Sequence, residues 1–100
     1  MKVSIITVTY NSANTLADTI ESIISQDYPD IEYIVVDGCS TDGTLDIISR
    51  YEPHITKYIS EPDKGIYDAM NKGIQMATGE VVGILNSDDF FAREDAVSLI

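Results

Sequence analysis

Four apolar, β-branched runs alternate along this chain with segments whose apolar residues return every three or four positions, and few folds accommodate that alternation. The runs are Val3–Tyr10, Ile31–Asp37, Ile55–Ser60 and Glu80–Leu85. Between them, Leu16, Ile20, Ile23 and Ile24 predict a helix over Ala13–Asp27, with Asn14 as a cap and Tyr28-Pro29-Asp30 as its stop. Leu45, Ile47 and Ile48 predict a second over Thr44–Tyr51, which Pro53 ends. Ile66, Met70, Ile74 and Ala77 form the apolar stripe of a third over Ile66–Ala77, closed by Gly79 as a left-handed cap. Arg93–Ile100 begins a fourth. Strands alternating with helices imply an α/β fold with a mainly parallel, Rossmann-like sheet between helical layers. Right-handed crossovers then bring Tyr10-Asn11, Asp37 to Asp42 and Asn86 to Asp89 to one sheet edge, where such folds bind nucleotides.

At 100 residues with 44% hydrophobic content, the chain supports a single core. Seventeen acids against six bases give a formal charge of −11, which repels nucleic acid and anionic membrane surfaces. A phosphate ligand therefore needs a metal ion or a local cluster of donors. The lone Cys39 excludes an internal disulfide and fits a reducing, cytoplasmic setting. Met1-Lys2 leads directly into the first strand, and no apolar stretch approaches membrane-spanning length.

The chemistry concentrates at the predicted loop edge. Asp88 and Asp89 close the run Val81–Leu85 and are hard oxygen ligands suited to Mg²⁺ or Mn²⁺; an isolated Asp-Asp pair is more often a turn and helix cap, and the context here reverses that preference. Asp37 stands at a strand end, where its carboxylate could accept from a base imide or a ribose hydroxyl, or form an Asx-turn into Cys39-Ser40. Asp42 is placed to cap the second helix. Tyr10 could stack on a base or sit at the core edge, and Asn11 could hold the first loop through its side chain. Lys64 is the candidate phosphate cation, with Gly65 permitting close approach of a ligand. Asp68 and Asn71 share a helix face, where Asn71 is expected to tie down a loop. His54, beside Pro53, reads as a solvated turn residue.

Taken together, Val3–Asn11, Tyr33–Thr44, Asp63–Ile74 and the segment from Ala77-Thr-Gly-Glu80 to Asn86-Ser-Asp-Asp89 resemble family 2 glycosyltransferases across nearly the whole chain. The resemblance implies a three-layer α/β/α GT-A fold, a nucleotide-diphosphate sugar donor, favouring UDP, and a divalent metal, Mn²⁺ or Mg²⁺. By position it puts Val8 and Tyr10 in the base pocket, Asp37 against the nucleoside, Lys64 near the donor, and Asp88 with Asp89 at the metal and ribose positions.

Two positions depart from the family pattern: Gly38 stands where many members carry a second, base-reading acid, and Asn86 replaces the first acid of an Asp-x-Asp motif. The acceptor-binding half and the catalytic base lie beyond the metal motif in the family, so the base is expected beyond Ile100. Residues 1–100 then form the N-terminal donor-binding part of an enzyme. It would transfer a sugar, with inversion, to a saccharide or lipid-linked acceptor in surface polysaccharide assembly. This reading leaves room for a homo-oligomer and for a full-length enzyme at a membrane surface. A receiver-type phosphorylation switch would need acids after the first strand, and Thr9-Tyr10-Asn11 supplies none. A non-catalytic nucleotide-binding or interaction module is the alternative.

Overall fold

The computed structural model describes residues 2–26, 30–62 and 64–85. The elements follow as β1 (Val3–Thr9), α1 (Leu16–Ile24), β2 (Ile31–Asp37), α2 (Thr44–Arg50), a 3₁₀ turn (Glu52–His54), β3 (Lys57–Ser60), α3 (Ile66–Met76) and β4 (Val81–Ile84). The strands form one parallel sheet in the order β3-β2-β1-β4. Every residue of β1 is buried, because this strand has a neighbour on each side and helices over both faces. That is why the strand carries only apolar and small hydroxyl residues, Ser4, Thr7 and Thr9, and no charge.

The two-residue strand period sorts the core onto two faces. Ile5, Tyr33 and Val35 pack with Leu16 and Ile20 of α1 and Ile48 of α2. Ile6, Val8, Ile34 and Val36 pack on the opposite face with Ala69 of α3, flanked by Met70 and Met76. The Tyr33 hydroxyl donates to Thr7 Oγ1 at 2.9 Å, and burial pushes its ionisation above the ordinary tyrosine range.

Several local expectations are corrected. The apolar stripe of α3 is rotated from its predicted position: Ile74 is 47% exposed, while Ala69 and Gly73 are buried. A Cβ on Gly73 would lie 2.5 Å from Ile6 Cγ2. Small residues let this helix ride close to β1, and close packing outweighs burial of the larger isoleucine. Helix α1 starts at Leu16, because residues 12–15 form a turn in which Leu16 N donates to Ser12 O at 2.9 Å. Thr15 takes the N-cap position, not Asn14. Gly79 is not a left-handed cap; Ala77 leaves α3 in an extended conformation, and Gly65 is the positive-φ glycine of the described residues. The predicted segment Arg93–Ile100 lies outside the described residues.

Strand β2 carries one acid inside the sheet. Glu32 is 4% exposed and accepts from Ser4 Oγ, Thr78 N and Thr78 Oγ1, each at 2.8 Å, with Lys57 Nζ at 3.3 Å. Burial alone would raise its pKa. The Thr78 amide, the Ser4 and Thr78 hydroxyls and Lys57 outweigh that effect and lower it from 4.5 to about 2. Because the folded value lies below the unfolded one, the stabilisation is fully present above pH 4.5 and is lost as pH falls toward 2. It amounts to roughly 3 kcal/mol at neutral pH. Urea unfolding of wild type and Glu32→Gln should therefore show a stability gap that closes as pH is lowered through this window. A gap that stays constant from pH ~5 to ~2.5 would contradict the assignment.

Candidate functional site

Parallel strands deliver the loops after β1, β2 and β3 to the same edge of the sheet. The chain steps one way from β1 to β2 and β3, then crosses back to β4 on the other side of β1. A crevice at the carboxyl ends of the strands opens at such a reversal. The first two loops at this edge are stitched together. Gly38 N donates to Thr9 O at 2.9 Å, Asn11 N to Ser40 Oγ at 2.8 Å, and Thr41 N to Asn11 Oδ1 at 2.8 Å. Farther out, Ser12 N donates to Thr44 Oγ1 at 2.9 Å and Ala13 N to Asp42 Oδ2 at 3.3 Å. Asn11 and Cys39 sit in the left-handed region, with φ of 48° and 68°. Side chains rarely adopt that conformation, and the cross-loop bonds on Asn11 and Ser40 hold the backbone there.

Asp37 lies beneath this seam with no exposed surface. Its Oδ2 accepts from Ser40 N at 2.9 Å and Ser60 Oγ at 2.8 Å, and its Oδ1 accepts from Ser40 Oγ at 2.5 Å. The Asx-turn reading is thus realised, and the carboxylate joins the ends of β2 and β3 to the loop. Whatever Asp37 contributes to a ligand passes through the placement of Ser40. Asp42 is not the N-cap of α2, a position that Gly43 takes; it stands one residue earlier and accepts from Thr44 N at 2.9 Å in an Asx-turn. The Thr44 hydroxyl, ahead of the other contacts, holds its carboxyl below the usual range.

The remaining predicted residues divide. Tyr10 is 61% exposed, and Asn11 holds the second loop as well as the first. Val8 is 6% exposed in the α3-side core, so its side chain serves packing there. Lys64 is exposed, and its amide donates to Asp68 Oδ2 at 2.9 Å. That amide, with Lys72 nearby, lowers the Asp68 pKa. Gly65, at φ 125°, has open space where a side chain would stand. Asn71 is exposed; the loop is tied instead by Lys72, which reaches Pro62 O at 2.9 Å, Glu61 at 3.1 Å and Asp68 at 3.6 Å. Asp88 and Asp89 lie outside the described residues, and among the described residues no three His, Cys, Asp or Glu gather as a metal site.

Sequence reasoning missed Thr44, and it saw Ser40 only as part of a turn; hydroxyls of this kind are too common in loops to stand out. It also missed Thr9, whose Oγ1 is buried at the carboxyl end of β1 without a hydrogen-bond partner among the described residues. His54 is exposed, as expected. A hollow lined by Ile23, Gln26, Ile31 and His54 opens elsewhere, and no predicted site residue lines it.

A parallel sheet with a crevice at its reversal point, floored by two interlocked loops, defines an α/β domain of the nucleotide-binding class. Within that class the chain belongs to glycosyl transferase family 2, whose sequence profile matches residues 4–100. It is 40% identical over 95 residues to TuaG of Bacillus subtilis, a glycosyltransferase named for teichuronic acid biosynthesis, covering 92% of this chain and 38% of that protein. The mannosyltransferase PcManGT of Pyrobaculum calidifontis, solved with GDP-Man and Mn²⁺, superposes with a TM-score of 0.90 at 33% identity, over 97% of this chain and 30% of that one. TarS residues 1–349 of S. aureus, solved with UDP-GlcNAc, superposes with a TM-score of 0.86 at 33% identity, over 99% of this chain and 29% of that one. The fold is accordingly the GT-A arrangement. The chain spans 37–39% of the length of the curated relatives it matches.

Proposed function

We propose that residues 1–100 form the N-terminal, nucleotide-sugar-binding part of a glycosyltransferase that moves a sugar from a UDP-sugar to a saccharide or lipid-linked acceptor in surface polysaccharide assembly. The interlocked loops at the carboxyl edge carry this reading, since a pre-formed floor needs little ordering when a nucleoside docks. Donor-bound neighbours with either UDP or GDP support a nucleotide-diphosphate ligand and tell against a ligand-free interaction module. Tyr10 stacks on the base, Asn11 and Asp37 hold the loops that meet the nucleoside, the Val8 backbone borders the base, and Lys64 offsets phosphate charge.

Asp88 with Asp89 would hold Mn²⁺ or Mg²⁺, which stabilises a departing diphosphate when bound. Mn²⁺ in the mannosyltransferase complex supports that assignment. Transfer proceeds with inversion: an acceptor hydroxyl, deprotonated by a carboxylate from beyond Ile100, displaces the diphosphate at the anomeric carbon. The lone Cys39 favours a reducing, cytoplasmic setting for the reaction. No helix among the described residues is long and apolar enough to cross a membrane.

Cys39 supplies the test, because it is the single cysteine, is exposed and lies in the second loop. Saturating UDP with Mn²⁺ should slow its alkylation by a maleimide about tenfold, in proportion to site occupancy. An unchanged rate would count against a donor at this edge.

A further inference from the structure

The sequence of β4 does not by itself fix how the strand pairs. Register is normally set by which face of a strand is apolar, and a slip of one residue carries every side chain to the opposite face. Val81, Val82, Gly83 and Ile84 offer no polar residue to forbid such a slip, and Val82 and Ile84 are already 42% and 41% exposed. The observed pairing, Val3 with Val81 and Ile6 with Ile84, needs another determinant.

That determinant stands at the opposite end of the sheet from the candidate site. Glu32 reaches from β2 across β1, taking Ser4 Oγ at 2.8 Å and both Thr78 N and Thr78 Oγ1 at 2.8 Å just before β4 begins. Ser4 Oγ in turn accepts from Gly79 N at 2.9 Å. Lys57 of β3 contacts Glu32 at 3.3 Å and donates to Met76 O, at the end of α3, at 2.9 Å. One buried carboxylate thus joins β3, β2, β1 and the entry to β4. Slipping by one residue would break the two bonds from Thr78 to Glu32 and the bond from Gly79 N to Ser4 Oγ, and would leave the buried Glu32 carboxylate short of donors.

We propose that Glu32 is a positioning residue for the donor site: it sets the register of β4 against β1 and so fixes where the carboxyl end of that strand, Ile84-Leu85, meets the candidate site's edge of the sheet. A one-residue slip would move the carboxyl end of β4 by about 3.3 Å and exchange the faces of its side chains. The link to the donor rests on the reading under Proposed function; the link to register does not.

The test follows backbone amides by NMR in wild type, Glu32→Gln and the milder Thr78→Ala, well below their unfolding midpoints, together with UDP titrations in Mn²⁺ buffer. The expected result is a loss of amide protection in Val81–Ile84 of about tenfold or more, with weakened β1–β4 cross-strand contacts. The central amides of β2 should stay within about threefold of wild type, and UDP affinity should fall about tenfold. Thr78→Ala should move the same readouts less. If protection falls equally in β2 and β4, Glu32 supports general stability only and the proposal is overturned. It is equally overturned if β4 keeps its protection and contacts in Glu32→Gln. A wild type that fails to bind UDP would remove the donor-site reading and the positioning role with it, while the amide data would still judge the register.

Discussion

Asp37→Ala should lower the stability of this domain by about 3–5 kcal/mol, read as the shift in free energy from urea unfolding at neutral pH. The carboxylate is wholly buried, and its removal leaves Ser40 N, Ser40 Oγ and Ser60 Oγ without their acceptor. Ser40 is buried, so each of its two stranded donors costs about 1–3 kcal/mol, while the exposed Ser60 hydroxyl turns to water; small domains have only about 5–15 kcal/mol in total. The damage should reach the first loop as well, since Asn11 N relies on Ser40 Oγ. Alkylation of Cys39 should then accelerate in the folded variant, because its left-handed backbone would lose its restraint. A residue acting only as a ligand would show the reverse pattern, with weaker UDP binding and an unfolding midpoint within a few tenths of a kcal/mol of wild type.

Gly79→Ala should be comparably damaging, at about 3 kcal/mol or more. A Cβ at this position would stand 2.6 Å from Ser4 Oγ, 2.8 Å from Ser4 N and 2.9 Å from Lys2 O. Two of those atoms are backbone of the central strand and its approach, so relief requires β4 to move away from β1. Gly43→Ala is the matching control: its new Cβ would meet Ala13 Cβ at 3.7 Å, an ordinary contact, and the backbone there has a negative φ of −77°. That variant should unfold within about 0.5 kcal/mol of wild type. Similar losses for the two glycines would refute the packing explanation.

These two positions also mark where the sequence could and could not be read. The strands of β1 and β2 were legible because a central parallel strand, buried on both faces, must be apolar or hydroxyl-bearing along its length. Asp37 was visible as a strand-end acid, and its Asx-turn was foreseeable from Cys39-Ser40; its bond to Ser60 was not, because that partner lies 23 residues away. Gly79 follows a helix, which makes a C-cap the natural expectation, yet it is needed for lateral contact with residues near the chain start. Gly73 and Ala69 carry little hydrophobic signal, so the stripe of α3 was drawn through Ile74 instead.

Glu32 interrupts an apolar run and gave no hint of Thr78, 46 positions downstream, as its partner. The candidate site was legible in outline for a similar reason. Tyr10, Asn11, Asp37 and Lys64 announce themselves by type and place, whereas the loop-to-loop bonds of Ser40, Asp42 and Thr44 exist only once parallel strands bring the loops together.

The central claim, that this chain binds the donor of a sugar transfer, is tested most directly by calorimetric titration of UDP into the chain with and without Mn²⁺, beside the Asp88→Ala variant. The account predicts binding that Mn²⁺ strengthens, and a loss of about 10–100-fold of that metal-dependent affinity in the variant. UDP binding that ignores Mn²⁺ and the substitution alike, or no binding of UDP, GDP or dTDP to a folded chain, would contradict it.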